Sequence, residues 1–352
     1  MKTKFLAVPM AIAISFLLTS CDPPLPPEVR TAIMEQTIAC ESGGVSVYAD
    51  AALYSLPEYL ASTLPESCPD LDISPVDERE SADLVITTVP DPQDGKTYIP
   101  LVFDASVLAT NLAELGSLTL TAESMAKIFD GEITQWDDPE LVSENPFEVL
   151  PSLPITVIRE ARPEVIQAFE SQMSFLLGFD YSLGFQENAE FDYYQIVDGE
   201  EGSLGLLSFV DNFDAYMLTA GFATDGEGGV VIADSLSMAS AATQTETQID
   251  NSVITVRVNQ SLPVLPLPGS DEVFDPYQAL MPVYLGFVPT GNLPAQVAGL
   301  YLLRSDVQGD LEQFSVSMLP ESLRIELTGI ISAGLPEPEL TQEQLDQLGL
   351  TD

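Results

Sequence analysis

The chain has 352 residues, with 55 Asp and Glu against 11 Lys and Arg, a formal charge of -44 and no histidine. The missing histidine excludes a Ser-His-Asp triad, a Cys-His dyad and any histidine metal site. The shortage of Lys and Arg argues against a nucleic-acid partner and against docking of the domain on an anionic membrane. At 45% hydrophobic residues the chain can bury a large core, in one large domain or two lobes.

Lys2 and Lys4 precede an apolar run from Phe5 to Leu18, shorter than the roughly 20 residues a membrane span needs. Leu18-Thr19-Ser20-Cys21 follows and resembles the lipobox of a bacterial lipoprotein signal. That resemblance implies removal of residues 1–20, acylation of Cys21, and a lipoprotein anchored to the cell-envelope membrane, facing the periplasm or the exterior. Asp22 to Pro27 reads as a short stiff tether. Two further cysteines, Cys40 and Cys68, form an even pair. In an exported protein such a pair suggests a disulfide, the alternative being two buried thiols.

Val45 to Tyr48 reads as a strand, followed by a helix through Leu53, Leu56, Tyr59 and Leu60. Asp83 to Thr88 is a short buried strand, Pro90 to Gly95 a loop, and Ile99 to Val107 a strand continuing towards Asn111. Thr121 is a helix N-cap before residues 122–129, where Met125, Ile128 and Phe129 share one face, and Gly131 ends the helix. Ile155 to Ile158 is a strand, and a helix starts near Pro163 with Val165, Ile166 and Phe169 on its apolar face. Gly178 to Asp198 gives no clear pattern, and Gly226 to Gly229 marks a loop. Ser252 to Val258 alternates as a strand, Leu262 to Gly269 is Pro-rich, and Met281 to Val288 is a strand. Helical patterns surround Leu311 to Leu319 and Leu323 to Ile331. Strands alternating with helices argue for an α/β architecture.

Leu118 to Pro139 reads LTLTAESMAKIFDGEITQWDDP. This segment resembles the signature of bacterial phosphate-binding proteins, the solute receptors of high-affinity phosphate ABC transporters. Asn145-Pro146 and Leu153-Pro154-Ile155 also fit, and Ile99-Pro100-Leu101-Val102 with Asn111 resembles the family's crossover strand. Gly202-Ser203-Leu204-Gly205, Met281-Pro282-Val283-Tyr284 and Gly334-Leu335-Pro336 resemble later family segments more loosely. The resemblance implies an α/β, two-lobed periplasmic-binding-protein type II fold, each lobe a mixed sheet flanked by helices. It implies a signal at 1–20, an anchor and tether at 21–40, one lobe from 41–104 and 276–352, and the other from 105–275. It further implies a phosphate or other small-anion ligand in the interlobe cleft, a permease partner, and no cofactor.

The site residues come from the family's ligand segments, position by position. Arg159 matches the arginine of R-x-D-x-S-G-T, but Ala161, Pro163, Glu164 and Val165 replace the Asp, Ser, Gly and Thr. Tyr48 holds a hydroxyl position in the first loop, and Thr87 keeps a hydroxyl in the loop where Thr88 replaces the family's aspartate. Arg162 stands on the same turn as Arg159 and could replace lost donors. The candidate ligand residues are therefore Arg159, Thr87, Thr88, Tyr48 and Arg162. Each has a plainer role: a salt bridge from Arg159 to Glu160 or Glu164, strand-end threonines, a core tyrosine and a solvated Arg162. Acidic pairs such as Asp137-Asp138 lack calcium-loop spacing, so no metal site is expected. No nucleophile has a recognisable base partner, which argues against an enzyme. The alternative reading is a cell-envelope interaction or sensory protein on the same fold that has lost phosphate binding.

Overall fold

The computed structural model describes residues 27–36, 40–112, 114–223, 229–250, 252–267 and 272–335. Cys21, Pro336 and most of the Gly226–Gly229 loop lie outside them.

The fold is organised by one long strand, Thr97–Thr110. At about 3.3 Å per residue its 14 residues span roughly 46 Å. Every residue from Tyr98 to Thr110 is buried, which explains the near-continuous apolar run in the sequence. Its first part, Thr97 to Ala105, pairs antiparallel with the strand Leu280–Phe287. That strand pairs antiparallel with Leu84–Thr87, which is parallel to Gly43–Ala49, itself parallel to Leu71–Pro75. The last part, Ser106 to Thr110, pairs antiparallel with Ser203–Ser208, and Ala109 and Thr110 also meet Leu218–Ala223. Ser203–Ser208 carries Thr156–Val157 in parallel, and Leu218–Ala223 carries Leu118–Leu120. Partners therefore change between Ala105 and Ser106, and one strand serves two half-sheets. A hairpin of Thr245–Asp250 and Val253–Val258 touches the long strand at Tyr98.

A bulge between Val283 and Tyr284 shifts the register against the long strand, so that Val283 faces Val102 and Tyr284 faces Pro100. Pro100 has no N–H to give a ladder, and a bulge is where a strand tolerates that loss.

The helix Ala122–Phe129 forms where the sequence places it. The Thr121 hydroxyl accepts the Ser124 N–H, and the Ser124 hydroxyl accepts the Thr121 N–H, both at 3.1 Å. Met125, Ile128 and Phe129 are buried. Trp136 is fully buried, and its Nε1 donates to the Gly202 carbonyl at 3.0 Å. Gly202 has φ +92°, and a Cβ there would lie 2.6 Å from the Pro154 carbonyl oxygen. Three segments of the resemblance thus meet at one point. Cys40 and Cys68 form a disulfide that closes a separation of 28 residues.

Two readings need correction. Residues 311–319 are not a helix: the helix is Ser305–Leu311, a 3-10 turn follows at Glu312–Phe314, and Ser315 at φ 58° ends it. Val316 and Leu319 are buried from an irregular segment, which mimicked a helical stripe. The helix Leu293–Leu302 was missed because Ala295 to Leu302 are all buried, leaving no polar face to set a period.

Candidate solute-binding cleft

A cleft of about 1140 Å³ opens at the ends of the strands on either side of the long strand, where α/β sheets place ligands. Its walls come from the loop after Gly43–Ala49, the loop after Leu84–Thr87, the start of the helix Pro163–Leu177, and the helix Phe209–Ala215. Strand Leu280–Phe287 lines the back through Met281, Pro282 and Tyr284.

On one wall, two donors converge on a single oxygen. The Thr87 hydroxyl donates to Asp50 Oδ2 at 2.8 Å, and the Thr88 backbone N–H reaches the same oxygen at 3.0 Å. Thr87 is fully buried and its hydroxyl also accepts the Val89 N–H at 3.0 Å, so the loop is locked. On the opposite wall, Arg162 Nη2 contacts Asp211 Oδ2 at 2.5 Å, and Arg162 Nε lies 3.5 Å from Glu164 Oε1. These three side chains are 15–16% exposed, so their charges are weakly screened. Glu164 Oε1 also accepts the Thr88 hydroxyl at 3.1 Å, across the cleft.

Tyr48 lines the cleft half-buried, its pKa raised by burial and then by Asp50. Arg79 Nη2 donates to the Val89 carbonyl at 3.0 Å and to the Tyr98 hydroxyl at 3.1 Å. Burial works against the Arg79 charge, but its bond to Tyr98 and the nearby Asp50 and Asp94 hold its pKa above the ordinary value. Burial, together with its hydrogen bond to Asp94, pushes the Tyr98 phenol up to about 12. Tyr284 is also pushed up to about 12 by burial. One residue before Asp211, the Val210 N–H donates to Oδ1 of buried Asp104 on the long strand at 3.2 Å.

Of the residues expected from the sequence, Tyr48, Thr87, Thr88 and Arg162 line this cleft and Arg159 does not. Arg159 is exposed and its Nη2 donates to the Phe129 carbonyl, at the C-terminus of the helix Ala122–Phe129. The chain between them is extended, with Glu160–Ala161 in a short strand, so an odd spacing of three sends Arg159 and Arg162 to opposite sides. Sequence reasoning missed Asp50, Asp211, Arg79 and Arg257. Asp50 had a signal, because it stands at a proline of the resembling loop pattern. The other three come to the cleft only through tertiary structure. Among the described residues the lining carries six carboxylates (Asp50, Glu164, Glu190, Asp192, Asp211 and Asp214) against Arg79, Arg162 and Arg257.

The chain aligns over 71 residues, at 41% identity, with the phosphate-binding protein PstS of Haemophilus influenzae. Over 60 residues it is 38% identical to phosphate-binding protein PstS 2 of Mycobacterium tuberculosis. These stretches cover 20% and 17% of this chain and 21% and 16% of those proteins, so the chain matches about a fifth of the length of these curated relatives. No protein-family model matches it. Its structure superposes on a high-affinity periplasmic phosphate-binding protein solved with bound phosphate, at TM-score 0.52 and 10% identity, over 82% of this chain and 93% of that one. A human phosphate-binding apolipoprotein gives a TM-score of 0.50 at 11% identity, over 81% and 93%.

The chain has the two-lobed periplasmic-binding fold. Its resemblance, in sequence stretches and in fold, is to the phosphate-binding proteins. In a two-lobed binding fold, the space between the lobes is the place for a solute. Among the described residues, no cluster of carboxylates and cysteines could hold a metal ion, and no helix is long and apolar enough to cross a membrane.

Proposed function

We propose that this chain is a lipid-anchored extracytoplasmic solute-binding protein of the phosphate-receptor type. It holds phosphate or another small anion in the cleft, hands it to an ABC transporter permease, and performs no chemistry. In this reading Cys21, outside the described residues, is the acylated anchor, and the anchor is the only contact with the membrane. The reading assigns residues 41–104 and 276–352, of which 336–352 lie outside the described residues, to one lobe and 105–275 to the other, with the hairpin of Thr245–Asp250 and Val253–Val258 reaching back to Tyr98.

The observation that carries the reading is the pair of donors on one oxygen. A hydroxyl and a backbone N–H, at 2.8 and 3.0 Å, meet at a point now filled by Asp50 Oδ2. Two such donors on one oxygen suit an oxyanion, and Arg162 lines the same cleft. The sequence match to phosphate-binding proteins and their shared fold support phosphate as the first solute to test. The acidic exterior does not forbid an anion in the cleft, because salt screens distant charge over about 8 Å.

The test is thermal unfolding in phosphate-free buffer with phosphate, sulfate and other small oxyanions. Phosphate at about 100 times its dissociation constant adds about 2.7 kcal/mol of stability. That gain disappears in Arg162→Ala.

A second reading has its own support. The donors on both walls are already engaged by Asp50, Glu164 and Asp211, as expected for an interaction or sensory protein on this fold that has lost phosphate binding. On that reading no oxyanion shifts the unfolding temperature.

A further inference from the structure

The receptor reading leaves unexplained why the protein's own carboxylates sit where an external anion would bind. Asp50 takes the Thr87 hydroxyl and the Thr88 N–H from within one wall. Glu164 does more. It lies in the first turn of the helix Pro163–Leu177, which is anchored in the far half-sheet by Phe169 against Phe222 and Phe129, with ring centroids at 5.6 and 6.2 Å. From there Oε1 accepts the hydroxyl of Thr88, on the opposite wall, while facing Arg162 Nε on its own. One carboxylate therefore touches donors of both walls, as a bound anion does when it draws two lobes together.

The helix start reinforces this. Pro163 at its first position has no N–H, so a backbone donor that could meet an anion is gone. The carboxylate of Glu164 lies in the first turn, where the helix dipole favours negative charge. Arg162 is meanwhile held by Asp211 from the other side. An incoming oxyanion finds Thr87, Thr88 and Arg162 all occupied.

The geometry points to Glu164 as a tethered internal anion that latches the cleft through Thr88 and competes with the solute, making it the specificity-determining residue of the site. This rests on the receptor reading for its ligand but not for the latch. Ligand must displace Glu164 from Thr88 and Arg162, so the apparent affinity for inorganic phosphate is the intrinsic affinity multiplied by the fraction of molecules that are unlatched. A single cross-cleft hydrogen bond suffices to shift that population severalfold.

The test compares the full chain with Glu164→Ala and Thr88→Val by two measurements. In hydrogen exchange without ligand, Glu164→Ala speeds exchange in the 87–90 loop, and Thr88→Val speeds it in the first turn of Pro163–Leu177. Each effect appears on the wall opposite the substitution, which a local disturbance does not produce. In calorimetric titration with inorganic phosphate, Glu164→Ala binds about tenfold tighter than the parent, or binds where the parent does not. Exchange changes confined to the substituted wall overturn the latch. Phosphate binding that is unchanged or weakened in Glu164→Ala overturns the competition, a loss showing that Glu164 contacts the solute instead. If none of the three proteins binds phosphate, the phosphate-receptor reading fails, and the exchange result still decides the latch.

Discussion

The Asp104 carboxylate accepts the Val210 N–H at 3.2 Å, joining the long strand, one residue before its partners change, to the helix that carries Asp211. Its Oδ1 also accepts the Ala105 N–H at 2.7 Å, and the residue is 1% exposed. Burial pushes its pKa up to about 7; Asp211 adds to the rise, while Arg162 and the two N–H donors oppose it.

A pH dependence follows from that carboxyl. Its folded pKa lies above its unfolded value near 3.8, so the folded state holds the proton more tightly. The contribution to stability is fully present below about pH 4 and is lost as pH rises to 7, at about 1.4 kcal/mol per pH unit. Asp104→Asn keeps an acceptor and stays neutral. The stability of Asp104→Asn relative to the parent should therefore climb between pH 4 and 7 and level off above. Urea unfolding at several pH values checks this, and parallel curves would refute it.

Gly202→Ala should be strongly destabilising. It forces a side chain into φ +92° and puts a Cβ 2.6 Å from the Pro154 carbonyl oxygen, beside the Trp136 bond. A cost above about 2 kcal/mol in denaturant unfolding is expected from strain plus loss of that buried bond. Trp136→Phe, which removes the donor while keeping an aromatic ring, should cost less than Gly202→Ala.

The disulfide should carry a measurable share of stability. Closing a 28-residue separation is worth about 3–4 kcal/mol in the chain-entropy view. Reductant should lower the parent's stability by about that amount and leave Cys40→Ser unaffected. Equal sensitivity in both proteins would show that reductant acts elsewhere.

The difference between these elements and the cleft explains what the sequence could disclose. The helix Ala122–Phe129 was legible because Thr121 caps it and Met125, Ile128 and Phe129 lie on one stripe. The long strand was legible as an apolar run because both its faces are buried. Leu293–Leu302 was hidden for the same reason, since complete burial erases the helical period. In the cleft, Tyr48, Thr87 and Thr88 could be placed by position in their motifs, and Arg162 only as a neighbour on the turn of Arg159. The partners of these residues could not. Asp211 reaches Arg162 over 49 positions and Glu164 reaches Thr88 over 76, and only the closed fold brings such pairs together.

Arg159 and Arg162 make the sharpest comparison, because motif matching favours the first and geometry the second. Arg159→Ala removes an exposed side-chain donor from the C-terminal end of Ala122–Phe129. It should cost about 0.3–1 kcal/mol of stability, as other cations at helix C-termini do, and leave any oxyanion-induced thermal shift intact. Arg162→Ala removes the cation between Asp211 and Glu164 and leaves both carboxylates facing the cleft uncompensated. It should abolish the oxyanion shift. It should also destabilise the ligand-free protein more than Arg159→Ala does, because two half-buried carboxylates lose their partner. Thermal unfolding of both variants, with and without phosphate, reads all four quantities. A ligand shift that survives in Arg162→Ala and vanishes in Arg159→Ala would move the site to the other side of the extended segment.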